Sequence, residues 1–203
     1  MQFWNSILTE KSWNIMQDIK KEDWRFIVIG GWATYLWTKQ HKSKDIDVVI
    51  LDFDTLSLLK KKYDLKKNDA LKKYEIVMGD IDIDIYVPYY SQLTLPLEVI
   101  AKYTSFVEGF EVVKPEILLI LKQGAEQDRG HSIKGQKDRI DIMTLLCFAE
   151  IDFSFYRKLL KDHKLDKFRL RLKQIILEFK DLKYLELDIK KYSKIKKALL
   201  EKV

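Results

Sequence analysis

Five aspartates carry the chemistry that this sequence can offer. Asp45 and Asp47 stand two apart at the start of an apolar run, and Asp80, Asp82 and Asp84 alternate with isoleucines in DIDIDIYVP. On a strand, residues i and i+2 share a face about 7 Å apart, so each group places its carboxylates side by side. Like charges so placed repel, and a fold tolerates them mainly with a cation between them. Oxygen-rich carboxylate sets suit Mg²⁺, which usually also binds substrate phosphates. Exposed on an edge strand, the same acids would simply be solvated.

The elements that must position the first pair run from Arg25 to Leu51, RFIVIGGWATYLWTKQHKSKDIDVVIL. Phe26 to Ile29 is a short strand-type run. Gly30 and Gly31 break it and allow a sharp turn and a close backbone approach to a ligand. Trp32 to Trp37 carries no breaker and fits a helix, and Asp45 to Leu51 is the next strand. The Gly-Gly pair, thirteen residues, then Asp45-x-Asp47 resembles the signature of the nucleotidyltransferase superfamily, with its polymerase-β-like fold. The resemblance implies an α+β fold: a mixed sheet flanked by helices, then a C-terminal helical domain. Expected domains are 1–114, catalytic, and 115–203, helical.

Further along, residues 3–22 read as one or two helices with Phe3, Trp4, Ile7, Leu8, Trp13, Met16 and Ile19 as apolar stripe, the tryptophans packing on the sheet. Asp52 to Lys62 reads as a helix capped by Asp54 or Thr55. Lys66 and Lys67 read as solvated. Leu71 to Met78 and Ile81 to Val87 form a hairpin around Gly79-Asp80. Beside the Asp45/Asp47 strand, the second of these can supply a third metal carboxylate, as family members do from a later strand. Asp84, nearest the end leading into Tyr86 and Pro88, is preferred, with Asp82 the rival. Leu97 to Lys102 is a short helix, and Thr104 to Val113 a hairpin around Glu108-Gly109. Pro115 suits the first turn of the next helix. The expected order is then helix to Gln127, a loop Asp128–Gln136, helix Lys137–Ala149, and helical structure from Asp152 to Val203. There Leu165, Phe168, Leu172, Ile175, Ile176 and Phe179 form one stripe, and Lys167, Arg171 and Lys173 lie away from it.

Lys122, Ala125 and Arg129, then Lys137-Asp138-Arg139 and Asp141, resemble a downstream motif of the branch that holds the AbiEii-type toxins of abortive-infection systems. By that resemblance Lys122 reaches the triphosphate, while Lys137 and Asp138 line the cleft. Helix salt bridges explain the same residues equally well. The superfamily resemblance implies transfer of a nucleoside monophosphate from an NTP to a hydroxyl. Two Mg²⁺ ions about 4 Å apart would be held by Asp45, Asp47 and Asp84. Asp84 would also take the hydroxyl proton. Gly30, Gly31 and the following helix would receive the β,γ-phosphates. Lys44 or Lys122 would offset pyrophosphate charge. His41 and Ser43 stand where the toxin-like branch often has Arg and Thr, and His lacks the fork geometry of Arg. The alternative is an inactive relative that binds nucleotide or RNA.

Composition sets the outer bounds. The 203 residues are 47% hydrophobic and 12% aromatic, which describes a folded chain. No apolar run approaches membrane-span length, and the first residues are not of signal-peptide type. The single cysteine, Cys147, excludes an internal disulfide and reads as core, three histidines argue against a zinc site, and a reducing cytosol is the default. A charged fraction of 33% with few Asn leans toward a thermophile. Of the net +6, the excess sits in residues 151–203, which hold 16 Lys+Arg against 8 Asp+Glu. That balance fits an RNA acceptor on the C-terminal helices, or a soluble Lys-rich surface. The toxin reading adds tRNA as acceptor and an antitoxin-like protein partner.

Overall fold

The computed structural model describes residues 5–203. Phe3 and Trp4 lie outside the described residues. The chain divides into two compact units between Lys114 and Pro115.

Among the described residues, the first unit is a seven-stranded mixed sheet with four helices. In chain order these are α1 (Ser6–Ile19), β1 (Ile27–Ile29), α2 (Gly30–Thr38), β2 (Ile46–Val49), α3 (Phe53–Lys62), β3 (Lys66–Asn68), β4 (Lys73–Met78), β5 (Ile81–Tyr86), α4 (Leu97–Lys102), β6 (Thr104–Val107) and β7 (Phe110–Val113). The sheet order is β3-β4-β5-β2-β1-β7-β6. β2 runs antiparallel to β1 and parallel to β5. The alternation in β5 does what period-2 patterning requires: Ile81, Ile83 and Ile85 are buried, while Asp82 is exposed and Asp84 and Tyr86 lie between. Ile46 and Val48 of β2 and Leu56 and Leu59 of α3 join the buried set. Trp32 of α2 is fully buried and donates its indole N–H to Ser12 Oγ of α1 at 2.9 Å. Trp13 packs on Trp32 and on Phe110 of β7, tying α1 to that end of the sheet.

Several local expectations need correction. α3 is capped by Asp52, whose carboxylate accepts from Thr55 N at 2.6 Å, not by Asp54 or Thr55; the cap lies one residue outside the helix. Lys66 and Lys67 are exposed as expected, on the edge strand β3, where lysines discourage pairing with another chain. β4 begins at Lys73 rather than Leu71, after a turn.

The second unit is helical: α5 (Pro115–Arg129), α6 (Ile133–Phe148), α7 (Phe153–Asp162), α8 (Lys167–Glu178), a 3₁₀ turn at Leu182–Tyr184, and α9 (Ile189–Lys202). The expected loop Asp128–Gln136 shrinks to three residues. Ser132 caps α6 by accepting from Gly135 N, and Gly135 fits because a side chain there would strike the Arg129 carbonyl. Phe168, Leu172, Ile175, Ile176 and Phe179 are buried as one stripe. Arg171, on the other side, does not stand in solvent. It holds Glu126 of α5 through both carboxylate oxygens. Cys147 is half-buried, and burial pushes its thiol up to about 12. Among the described residues no helix is long and apolar enough to cross a membrane.

Candidate active site

The site grows from two strand registers. β1 and β2 pair Ile29 with Asp47, so the residue that follows β1, Gly30, comes against the Asp47 side chain. A Cβ on Gly30 would land on Asp47 Oδ2, and the backbone there has φ +67, where L side chains are strained. A Cβ on Gly31 would strike the buried Ser43 hydroxyl. The Gly-Gly pair is therefore demanded from both sides, by a carboxylate and by a hydroxyl. Gly30→Ala is expected to lose at least about 2 kcal/mol of stability in a urea titration, from strain in φ and from displacing Asp47. An unchanged midpoint would mean that the close approach is not needed.

The second register pairs β2 with β5, with Asp47 directly beside Asp84. Asp84 is thus next to the signature carboxylate. The other two acids of β5 differ: Asp82 is exposed, and Asp80 pairs with Lys11 of α1 at 3.1 Å. The Asp84 side chain is only 14% exposed. Its Oδ2 lies 2.5 Å from the Lys73 ammonium, and its Oδ1 is buried with no hydrogen bond among the described residues. Burial, then the neighbouring Asp47 charge, pushes Asp84 up to about 6 even though Lys73 pulls the other way. Lys73 also holds Glu75 Oε1 at 2.9 Å, and Asn68 donates to the same oxygen at 3.0 Å. Burial works to lower Lys73, but Asp84 and Glu75 more than offset it and keep its pKa raised. The Tyr86 hydroxyl stands 3.5 Å from Asp47 Oδ1.

This charge has a cost that pH reveals. A carboxyl raised in the folded state holds its proton more tightly there than in the unfolded chain. Its contribution is therefore full below pH 4 and is lost as pH rises through about 6. In EDTA, wild-type stability is expected to fall across that window by on the order of 2 kcal/mol more than that of Asp84→Asn. Parallel pH–stability curves for the two proteins would refute this.

Asp45 precedes β2 and is half-buried, as is Lys44. Lys122, Lys137 and Asp138 belong to the second unit. Lys122 is buried, with its ammonium 2.5 Å from Asp141 Oδ2 and 4.0 Å from Asp138 Oδ1. Arg129 grips Asp138 with two bonds, at 2.7 and 3.0 Å. Lys137 is half-buried. Within the first unit the structure gathers Gly30, Asp47 and Asp84, and within the second it sets Lys122 by Asp138 and Asp141.

Lys73 and Glu75 went unseen in the sequence, yet hairpin arithmetic finds them. With Met78 opposite Ile81 across Gly79-Asp80, Glu75 falls opposite Asp84, and Lys73 lies two residues along on the same face.

The donor chemistry at Asp47 and Asp84 fits a divalent cation: two adjoining carboxylates, one with a buried oxygen that lacks a hydrogen-bond donor. Among the described residues, however, no three His, Cys, Asp or Glu side chains are grouped to hold a metal ion as they stand. Lys73 occupies Asp84 Oδ2 instead.

No protein-family model and no curated protein sequence matches the chain. Solved structures do. JHP933 from Helicobacter pylori superposes with a TM-score of 0.53 at 15% identity, covering 98% of this chain and 94% of its own. A candidate nucleotidyltransferase from H. pylori gives the same TM-score and identity, covering 98% and 97%. With its mixed sheet, its flanking helices and its helical C-terminal part, the chain has the nucleotidyltransferase-like α+β fold.

Proposed function

We propose that the chain is a Mg²⁺-dependent nucleotidyltransferase that moves a nucleoside monophosphate from an NTP to a hydroxyl acceptor. The observation that carries this reading is the register that seats Asp84 beside Asp47 while Gly30 closes on Asp47 from the neighbouring strand. Asp45, Asp47 and Asp84 would hold the metal, which when bound would polarise the α-phosphate and lower the acceptor hydroxyl's pKa. Asp84, beside Asp47, would also take the hydroxyl proton. The start of α2, at Gly30 and Gly31, offers backbone N–H donors to phosphate oxygens. Lys44, one residue before Asp45, is the nearest cation in sequence for the departing pyrophosphate. The acceptor we favour is an RNA hydroxyl, since the C-terminal part is basic, with a protein hydroxyl as the competing class. A toxin role with an antitoxin-like partner is the most specific form of this reading.

The test is incubation with each α-labelled NTP and Mg²⁺, with and without total RNA and with EDTA as control. Label transferred to RNA or protein in Mg²⁺ and abolished by EDTA is expected. Nucleotide binding without transfer would favour the inactive relative, and neither binding nor transfer would sink the proposal.

A further inference from the structure

Lys73 has no place in the signature that marks the site, yet it is the cation that the site already contains. Its side chain is only 11% exposed, and its ammonium bridges Asp84 Oδ2 at 2.5 Å and Glu75 Oε1 at 2.9 Å. The hairpin register dictates the bridge, because Glu75 lies opposite Asp84 and Lys73 follows on the same face. Asn68 fixes Glu75 from the edge strand β3. The lysine is therefore built in, unlike a surface lysine that meets an acid in passing. Its compensation is also incomplete. One ammonium serves two carboxylates, Asp84 and Glu75, while Asp47 lies beside Asp84, and Asp84 Oδ1 stays buried with no hydrogen-bond donor among the described residues.

We propose that Lys73 is the resident counter-cation of the acidic site, and that a divalent ion gains Asp84 by displacing the Lys73 ammonium from Oδ2. Glu75 then retains the ammonium, so the lysine changes from two carboxylates to one and is not set loose in a low-dielectric site. Lys73 is thus a positioning residue. It keeps Asp84 ordered while the site is empty of metal, and it sets how tightly the metal is held. This rests on reading Asp47 and Asp84 as metal carboxylates.

The experiment is Mn²⁺ binding by electron paramagnetic resonance, with melting temperatures in EDTA and in saturating Mn²⁺, on the full chain without substrate. Lys73→Met is expected to bind Mn²⁺ at least about tenfold more tightly than wild type, since the ion no longer competes with an ammonium. It should also melt lower in EDTA, where Asp84 is left uncompensated, and regain most of the difference in Mn²⁺. Lys73→Arg, which keeps the charge, should stay close to wild type. In an Asp84→Asn background, adding Lys73→Met should change Mn²⁺ affinity by less than about threefold, because the two act through one contact. That neutral double variant also keeps the question answerable if Lys73→Met alone does not fold. A tenfold gain in the double variant over Asp84→Asn would mean that Lys73 acts by long-range charge alone and would overturn the proposal. Equal Mn²⁺ affinity in wild type and Lys73→Met would overturn it too, leaving the metal reading intact. Failure of both proteins to bind Mn²⁺ at millimolar concentration would remove the metal reading and this proposal together.

Discussion

Asp47→Asn is expected to cut nucleotidyl transfer at least about 10²-fold while the protein stays folded. Asparagine keeps the shape, so Gly30 still closes on the side chain, but the charge that would hold a divalent ion is gone. Asp45→Asn and Asp84→Asn are expected to lose a similar factor rather than a third of the activity each, because carboxylates that share metal ions act as a unit. The three variants differ in stability. Asp84 is the buried member that Asp47 opposes, so its neutralisation should relieve the most repulsion in EDTA. The measurement is single-turnover transfer with melting curves on the same preparations. Full activity in Asp84→Asn would shift the third carboxylate to exposed Asp82. Full activity in Asp45→Asn or Asp47→Asn would end the nucleotidyltransferase reading.

The second large effect lies in the helical unit. Glu126 has a fully buried side chain held by Arg139 at 2.9 Å and by a two-bond contact from Arg171. Burial works to raise its carboxyl, yet the two guanidinium groups more than offset this and keep it below the usual range. The double variant Arg139→Met/Arg171→Met leaves that carboxylate buried and unpaired, and should lose roughly 3–5 kcal/mol by urea unfolding at pH 7. Each single variant should lose clearly less than half of that, since one arginine remains. The sign with pH follows from the depressed pKa: the pair contributes fully above the unfolded carboxylate range and is lost as pH falls through the folded value. The gap between wild type and the double variant should therefore narrow in acid. A loss under about 1 kcal/mol would mean that water reaches Glu126. The same contact bears on RNA. Arg171 is committed to Glu126 and Arg169 donates to the Val203 backbone oxygen, so a phosphate contact on α8 falls first to Lys167 and Lys173, and replacing those two should flatten the salt dependence of any RNA binding.

What was legible in the sequence follows the range of the forces involved. The Gly-Gly break, the strand carrying Asp47 and the Ile/Asp alternation of β5 are local patterns, and the structure keeps them with shifted bounds: Gly30 and Gly31 open α2 itself, Asp45 stands just before β2, and β5 holds the alternation. The preference for Asp84 over Asp82 was argued from the end of the strand, whereas what distinguishes them is the pairing with β2, which joins residues far apart in sequence. Lys73 escaped notice for a related reason: a lysine in a lysine-rich stretch reads as solvated until the residue opposite it is known. The α5–α6 junction was misjudged because Gly130 and Gly135 suggested a loop. Gly135 is instead a small residue in a first helical turn pressed against backbone. Arg171 was read correctly as off the apolar stripe, but no periodicity reveals that a glutamate 45 residues earlier waits for it.

The registers also imply an order of assembly. The β4–β5 hairpin closes over a two-residue turn, so Lys73, Glu75 and Asp84 can find one another early, within a local unit. The parallel β2–β5 seam joins segments more than thirty residues apart, and closing it is the slower step. That seam is the one that forces Asp47 against Asp84. The repulsion between these two carboxylates is therefore loaded onto the sheet last, after the Lys73 ammonium is in position beside Asp84. The rate of closure, more than the stability of the hairpin, is where the sheet feels the charge of its own site.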